Sequence, residues 1–314
     1  MKTIAIGPES SNPSWNWVGL DTAKELSKYF QVNIFKSLDE VPKCDVVLIL
    51  KDICCIKSLV EFKFHKYKTI YMPIDVFNEQ KNIVENEFFL RQFDAILLHC
   101  ERLRPFFEIY NKNVHFINHN NKYGLQKMAE YKRKGFILWI GGYQFVPYLL
   151  KWIENNPIKN EIKILTNLGN ERAISAAKKN ASNIGIELPI IINAKSIRGI
   201  ETYNWSEKLQ YELMKDCKAA IDIKWTEDFC QYNKPPTKAQ KYIASGIPFA
   251  INKESYSTEY FKKKGFNLAT PDNTEKWFSK EYWEETRMFG KYLKNEISLD
   301  VVGLKYKRII ESLF

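Results

Sequence analysis

Short runs of apolar residues recur along this chain, each followed by a stretch with helical periodicity. In the first half, the runs at 3–6, 32–35, 45–50, 69–72, 95–98 and 114–117 read as strands. Residues 18–30, 56–67, 78–92 and 102–110 read as amphipathic helices between them. Strands that are apolar throughout, rather than alternating, must be covered on both faces. Their alternation with helices predicts a parallel sheet flanked by helices. Residues 123–134 are polar and basic and predict a helix and linker. A second series follows, with strands expected at 135–140, 161–165, 189–192, 219–223 and 247–251 and helices at 147–154, 172–183 and 206–215. From residue 282 the chain is helical and rich in aromatic residues. The expected fold class is α/β in two domains, 1–130 and 131–285, with closing helices at 286–314.

One stretch carries more detail than the rest. From Lys234 to Pro248 the chain reads KPPTKAQKYIASGIP. Thr237 with Gln240 three residues on fits a capping box, and the prolines keep the approach to the helix extended. Gly246 falls where a left-handed residue ends a helix, and Pro248 prevents continuation. A helix start presents free N–H groups and favours anions. A lysine in that first turn, here Lys238, opposes the dipole at a cost of about 0.3 kcal/mol. Lys238, with Lys234 just outside, makes sense if a phosphate lies between them. The alternative is a surface helix with solvated lysines.

Pro236-Thr237-Lys238 and the run from Tyr242 to Pro248 resemble the signature P-x-K-x-x-E-Y-x-A-x-G-x-P of the C-terminal domain of GT-B glycosyltransferases. The resemblance implies two Rossmann-like domains facing a central cleft, with the second holding a nucleotide diphosphate sugar. It places Lys238 and the helix start at Thr237 on the diphosphate. Lys241 stands where the family carries the glutamate that binds the nucleotide ribose. Gly141-Gly142, ending the first strand of the second series, resembles the family's glycine loop, whose N–H groups face the diphosphate. With Lys224 past strand 219–223, Lys234, and Ser255 past the strand after the motif, the donor set is Gly141, Gly142, Lys224, Lys234, Thr237, Lys238, Lys241 and Ser255. The polar loop after the first strand carries Ser14, Trp15 and Trp17, which face the acceptor on the family pattern or simply pack on the domain. The closing helices of the family cross back onto the first domain. The signature resembles the retaining branch, in which a dedicated nucleophile is often absent.

Ligands of parallel α/β sheets bind beyond the C-terminal strand ends. Two groups there are the catalytic candidates. Asp75, past the fourth strand, is an acceptor-side base or ligand, or else a helix N-cap. His99, past the fifth, is an alternative base or a structural histidine.

Charge and composition narrow the partners. The net charge of +10 on 314 residues suggests an anionic partner: a nucleotide diphosphate, an anionic lipid surface or nucleic acid. No nucleic-acid module is recognisable and the lysines are scattered, so nucleic acid is set aside. Residues 56–68 interleave Lys57, Lys63, Lys66 and Lys68 with Phe62, Phe64 and Tyr67, which suits a peripheral contact with the inner membrane face or a helix with a basic outer face. Cys44, Cys54, Cys55, Cys100, Cys217 and Cys230 form no C-x-x-C pair and read as reduced cytoplasmic thiols. No D-x-D marks a metal site, because the strand-end motif Asp222–Lys224 is D-x-K. His115 and His119 lack metal-ligand spacing. The first residues read as a strand rather than a signal peptide, and 135–150 is too short to span a bilayer. The expectation is a soluble, cytoplasmic, metal-independent glycosyltransferase with no bound cofactor, its co-substrate being the nucleotide diphosphate sugar. It would move a sugar to a sugar, glycan, lipid or protein acceptor with retention. A catalytically silent nucleotide- or sugar-binding protein on the same fold is the alternative, kept open by Lys241.

Overall fold

The computed structural model describes residues 1–11, 14–53, 55–188 and 196–314. The strand expected at 189–192 and Cys54 lie outside them. The chain divides into two compact units. Unit 1 comprises Met1–Lys122, Asp228–Pro235 and Asn295–Phe314; unit 2 comprises Tyr123–Glu227 and Pro236–Lys294. The first division therefore falls at 122/123 rather than 130/131, and unit 1 also takes back a short internal segment.

In unit 1, β1 (Thr3–Gly7), β2 (Gln31–Ile34), β3 (Val46–Leu50), β4 (Lys68–Met72), β5 (Ala95–Leu98) and β6 (Val114–Phe116) form a parallel sheet in the order β2-β1-β3-β4-β5-β6. The apolar runs are buried on both faces because alternate residues serve different cores. Ile4, Ile6, Val46, Leu48, Ile70 and Met72 join Leu26, Val302, Tyr306 and Ile310 on one side. Ala5, Val47, Ile49 and Tyr71 join Leu59, Phe62, Ile83 and Leu90 on the other. The Leu299–Glu311 helix is thus part of the unit 1 core. The returning segment Asp228–Pro235 packs here too, with Phe229 edge-on to Phe106 at 5.5 Å between ring centres.

Several expected helices are shorter or broken. The segment 18–30 becomes a π-helical stretch, Trp15–Leu20, running into Asp21–Leu26. A Cβ on Gly19 would lie 2.2 Å from the Trp15 ring, so the wide turn and the missing side chain together make room for the indole. Residues 78–92 divide into Gln80–Glu85 and Glu87–Leu90 at Asn86, whose side-chain amide bonds back to the Asn82 carbonyl. Of 102–110 only Arg104–Phe107 is α-helical, and 123–134 contains no helix.

In unit 2, β7 (Ile137–Ile140), β8 (Ile162–Thr166), β9 (Ser196–Ile197), β10 (Ile200–Asn204), β11 (Ala219–Asp222) and β12 (Phe249–Ile251) are ordered β12-β11-β7-β8-β10-β9. All pairs are parallel except the edge pair β9–β10. Strand β10 departs from the apolar pattern of the others, because its sequence IETYN carries polar residues on a half-exposed strand near the sheet edge.

The motif helix is Thr237–Ala244. Its C-terminal end is as expected: Gly246 has φ +72°, and the N–H groups of Gly246 and Ile247 bond to the carbonyls of Ile243 and Tyr242. Its start is different. Pro236 occupies the cap position, no side-chain cap bond forms, and Thr237 is the first helical residue. The helix is held from the side by Lys280–Glu296, where a Cβ on Gly290 would lie 2.1 Å from the Ile243 carbonyl oxygen. Backbone meets backbone there, so no side chain can move aside. Gly290→Ala is expected to lower unfolding stability by about 2 kcal/mol, measured by denaturant titration; an unchanged midpoint would show that the two helices separate freely.

Candidate functional site

Strand order singles out one place in each sheet. β7 is followed on one side by β8 and β10 and on the other by β11, so the direction of winding reverses between β7 and β11. The ladder joins these strands only at Ala219–Ile137 and Ala220–Leu138, short of the strand ends. Crevices at such reversals are the ligand sites of open α/β sheets.

Here Asp222 ends β11 with only 1% of its surface exposed. Both of its oxygens face lysines: Lys224 Nζ is 2.9 Å from Oδ2 and Lys238 Nζ is 2.9 Å from Oδ1. Burial alone would raise the Asp222 pKa, but the two ammonium groups reverse this and hold it below the usual carboxylate range. Lys224 is fixed through its backbone by the Asn252 amide, which accepts from its N–H at 2.9 Å and donates to its carbonyl at 3.1 Å. Lys238 comes from the first turn of the motif helix, lies 4.9 Å from the centre of a Trp139 ring and keeps 26% of its side chain exposed.

Gly141 serves this arrangement by being small. A Cβ there would lie 2.6 Å from Trp139 and 3.0 Å from Lys238 Nζ. The expectation that glycine-loop N–H groups face a diphosphate does not hold at Gly141, whose N–H bonds to Leu165 in the ladder at 3.1 Å. The next N–H but one, that of Tyr143, is taken by Asn167 Oδ1 at 3.2 Å. Gly142 is extended and leads into a short turn.

Lys241 is 8% exposed, and the ring centre of Tyr123 is 5.7 Å from its ammonium group. Burial, reinforced by the charge of Lys238, brings its pKa down to about 7. Ser255 serves a different purpose, since its hydroxyl caps the Tyr256–Lys263 helix by accepting from the Thr258 N–H at 3.3 Å.

In unit 1 the winding reverses between β1 and β3, and a cavity of about 120 Å³ opens there, lined by Ser10, Ser14, Trp15, Lys36 and Lys51 among others. Trp15 is 3% exposed and belongs to the core. Trp17 donates to the Asn120 carbonyl at 2.7 Å and lies 5.6 Å from the His119 ring. Both indoles are therefore packed on the domain.

Lys51 and Asp75, just past β3 and β4, have φ values of +66° and +54°. Neither is a glycine, so each holds a strained backbone costing about 1 kcal/mol or more. Asp75 does not cap a helix. Its Oδ1 is 2.6 Å from Lys234 Nζ, within the same unit. The water that it loses to its neighbours would raise its pKa, but Lys234, Lys51 and His119 outweigh that and bring it down to about 2. With 43% of its side chain open to solvent the carboxylate is a reachable anion and a weak base.

His99 is 7% exposed. Its Nδ1 lies 2.7 Å from the Ile117 carbonyl, which can only accept, so Nδ1 carries the proton and Nε2 is a lone-pair acceptor. Burial lowers its pKa to about 4, leaving it neutral at pH 7. His99 and Asp75 line one small cavity of about 40 Å³ with Cys230 and Asn233. The structure thus gathers Gly141, Lys224 and Lys238 in unit 2, and Asp75, His99 and Lys234 in unit 1. Asp222 is placed beside Lys224 at the strand edge by the sequence but stands outside the expected donor set; its signal is the D-x-K motif, which fails as a metal site but pairs a carboxylate with a lysine. Among the described residues, no group of three or more His, Cys, Asp or Glu side chains is placed to hold a metal ion.

No protein-family model matches the chain and no curated protein matches it in sequence. Solved structures do. A glycosyltransferase from Rickettsia africae is similar with a TM-score of 0.64 at 10% identity, covering 99% of this chain and 98% of that one. AviGT4, a glycosyltransferase involved in avilamycin A biosynthesis, is similar with a TM-score of 0.61 at 8% identity, covering 100% and 98%. An α,α-trehalose-phosphate synthase (UDP-forming) from Burkholderia vietnamiensis gives 0.54 at 9% identity, covering 97% and 79%. Two α/β units with these strand orders and these likenesses agree: the chain has the GT-B glycosyltransferase fold.

Proposed function

We propose that this protein transfers a glycosyl residue from a nucleoside diphosphate sugar, with unit 2 holding the donor. The observation that carries the reading is the gathering of Lys224 and Lys238 around the carboxylate of Asp222, at the winding reversal of the sheet, with the buried Lys241 three residues beyond Lys238 in the same helix. A leaving diphosphate gains negative charge as the bond from the anomeric carbon to its oxygen breaks. Ammonium groups already in position stabilise that charge without reorganisation. The likeness to glycosyltransferases supports the same reading.

In the proposed reaction the electron pair of the broken bond leaves with the diphosphate, and the acceptor hydroxyl oxygen bonds to the anomeric carbon. With retention the acceptor arrives on the face that the diphosphate leaves, so its proton passes to the departing phosphate oxygen. This needs neither a protein nucleophile nor a metal, since lysines supply the positive charge. Asp75, held at about 2, suits hydrogen bonding to an acceptor hydroxyl better than removing its proton, whereas the Nε2 of neutral His99 is buried.

Two experiments test the donor site. In thermal unfolding with UDP, GDP, ADP and CMP, one diphosphate should raise the midpoint, as a ligand at a hundred times its Kd adds about 2.7 kcal/mol. Lys238→Ala, compared with its own ligand-free midpoint, should weaken that nucleotide by about tenfold or more. Equal affinity in the variant would move the site elsewhere. Binding without transfer or hydrolysis of the matching nucleotide sugar would favour a silent binding protein.

The second experiment uses Lys241. A lysine whose folded pKa is about 7 binds fewer protons than the unfolded chain up to the ordinary lysine value of about 10.4, so stability of the free protein rises with pH across that window. A diphosphate beside Lys241 favours its charged form. Calorimetry at pH 8 in buffers of different ionisation enthalpy should show uptake of up to about one proton on nucleotide binding, abolished in Lys241→Met. No uptake would place Lys241 away from the anion.

A further inference from the structure

The Ile56–Phe64 helix has two apolar faces, and the fold uses only one. Ser58, Leu59 and Phe62 are buried against the unit 1 sheet. Ile56, Val60 and Phe64 are 62%, 61% and 80% exposed. At 3.6 residues per turn these three, spaced by four, form one stripe along the outer side of the helix. Lys57 and Lys63 flank the stripe on either side. In the same helical layer, Val84 and Phe88 are 49% and 54% exposed.

Beyond the helix end lies a groove of about 320 Å³, lined by Lys63, Lys66, Tyr67, Lys68, Gln92 and Asp94 among others. Lys68 is paired with Asp94 at 2.9 Å and Lys63 is bonded to Gln92. Lys66, with φ +57°, turns the chain out of the helix and is exposed. Residues 56–68 hold four lysines against one glutamate. Apolar tips standing out of a basic surface are a costly arrangement in water, since each exposed side chain of this size forgoes about 1.5 kcal/mol or more of burial.

We propose that this outer helix face and the lysine groove beside it form a docking surface for a bilayer containing anionic lipid. The apolar stripe enters the boundary between headgroups and acyl chains, while Lys57, Lys63 and Lys66 meet lipid phosphates. A second copy of the chain is a poor occupant, because it would bring a like-charged face against this one. The proposal does not depend on the transfer reaction.

The test is flotation of the full chain with vesicles of phosphatidylcholine alone, and of phosphatidylcholine mixed with phosphatidylglycerol. The chain should float with the mixed vesicles only. Lys63→Gln/Lys66→Gln should weaken partitioning by about fivefold per lysine, and Val60→Ser/Phe64→Ser by about tenfold or more. Circular dichroism should be unchanged in both variants, because all four side chains are exposed. Absence of flotation with either vesicle, equal flotation with both, or full flotation of both variants would overturn the proposal. The first of those outcomes would leave an acidic protein partner as the occupant.

Discussion

A buried carboxylate between two lysines organises unit 2. Placing Asp222 inside the protein is unfavourable by itself, and an uncompensated buried charge costs several kcal/mol. The pair of ammonium groups from Lys224 and Lys238 makes the position tenable. Other features follow from it. Asn252 must clamp the Lys224 backbone, Gly141 must lack a side chain so that Lys238 can approach, and the motif helix must start at Thr237 for Lys238 to fall in its first turn.

Unit 1 also pairs a strand-end carboxylate with a lysine, in a more open setting. There a strand-end aspartate, Asp75, holds Lys234 from a segment that lies far along the chain. The cost is visible in the backbone, since Lys51 and Asp75 both take left-handed conformations just past neighbouring strands. Tyr71 donates its hydroxyl to the Lys51 carbonyl at 3.2 Å and helps to hold that turn. Such strain at strand ends is what a binding surface tends to show, because the chain there is shaped by its ligand side as well as by its core.

Much of this architecture can be read from apolar periodicity. The inner strands are continuous apolar runs, and the close of the motif helix is written in Gly246 and Pro248. What cannot be read depends on partners distant in the chain. Asp222 looks like any strand-end aspartate until Lys238 is seen to reach it. Thr237 and Gln240 have the spacing of a capping box, yet the Pro236 position makes Thr237 helical. Strand β10 is hidden by its polar residues, and the break at Asn86 by a local amide bond. The tryptophans at 15 and 17 could serve a ligand or a core from sequence alone; their burial and bonding place them with the core.

The commitment of the Gly141 N–H to the sheet has a consequence of its own. A backbone cradle grips an anion by shape, and no side-chain substitution can remove its donors. The cations at this strand end are the ammonium groups of Lys224 and Lys238, and contacts made by ammonium groups depend on charge and are only loosely directional. Such a site tolerates changes in the outline of what it holds while remaining sensitive to ionic strength where the lysines reach solvent. It can also be retuned one side chain at a time, which leaves the selectivity of this fold open to adjustment without rebuilding its loops.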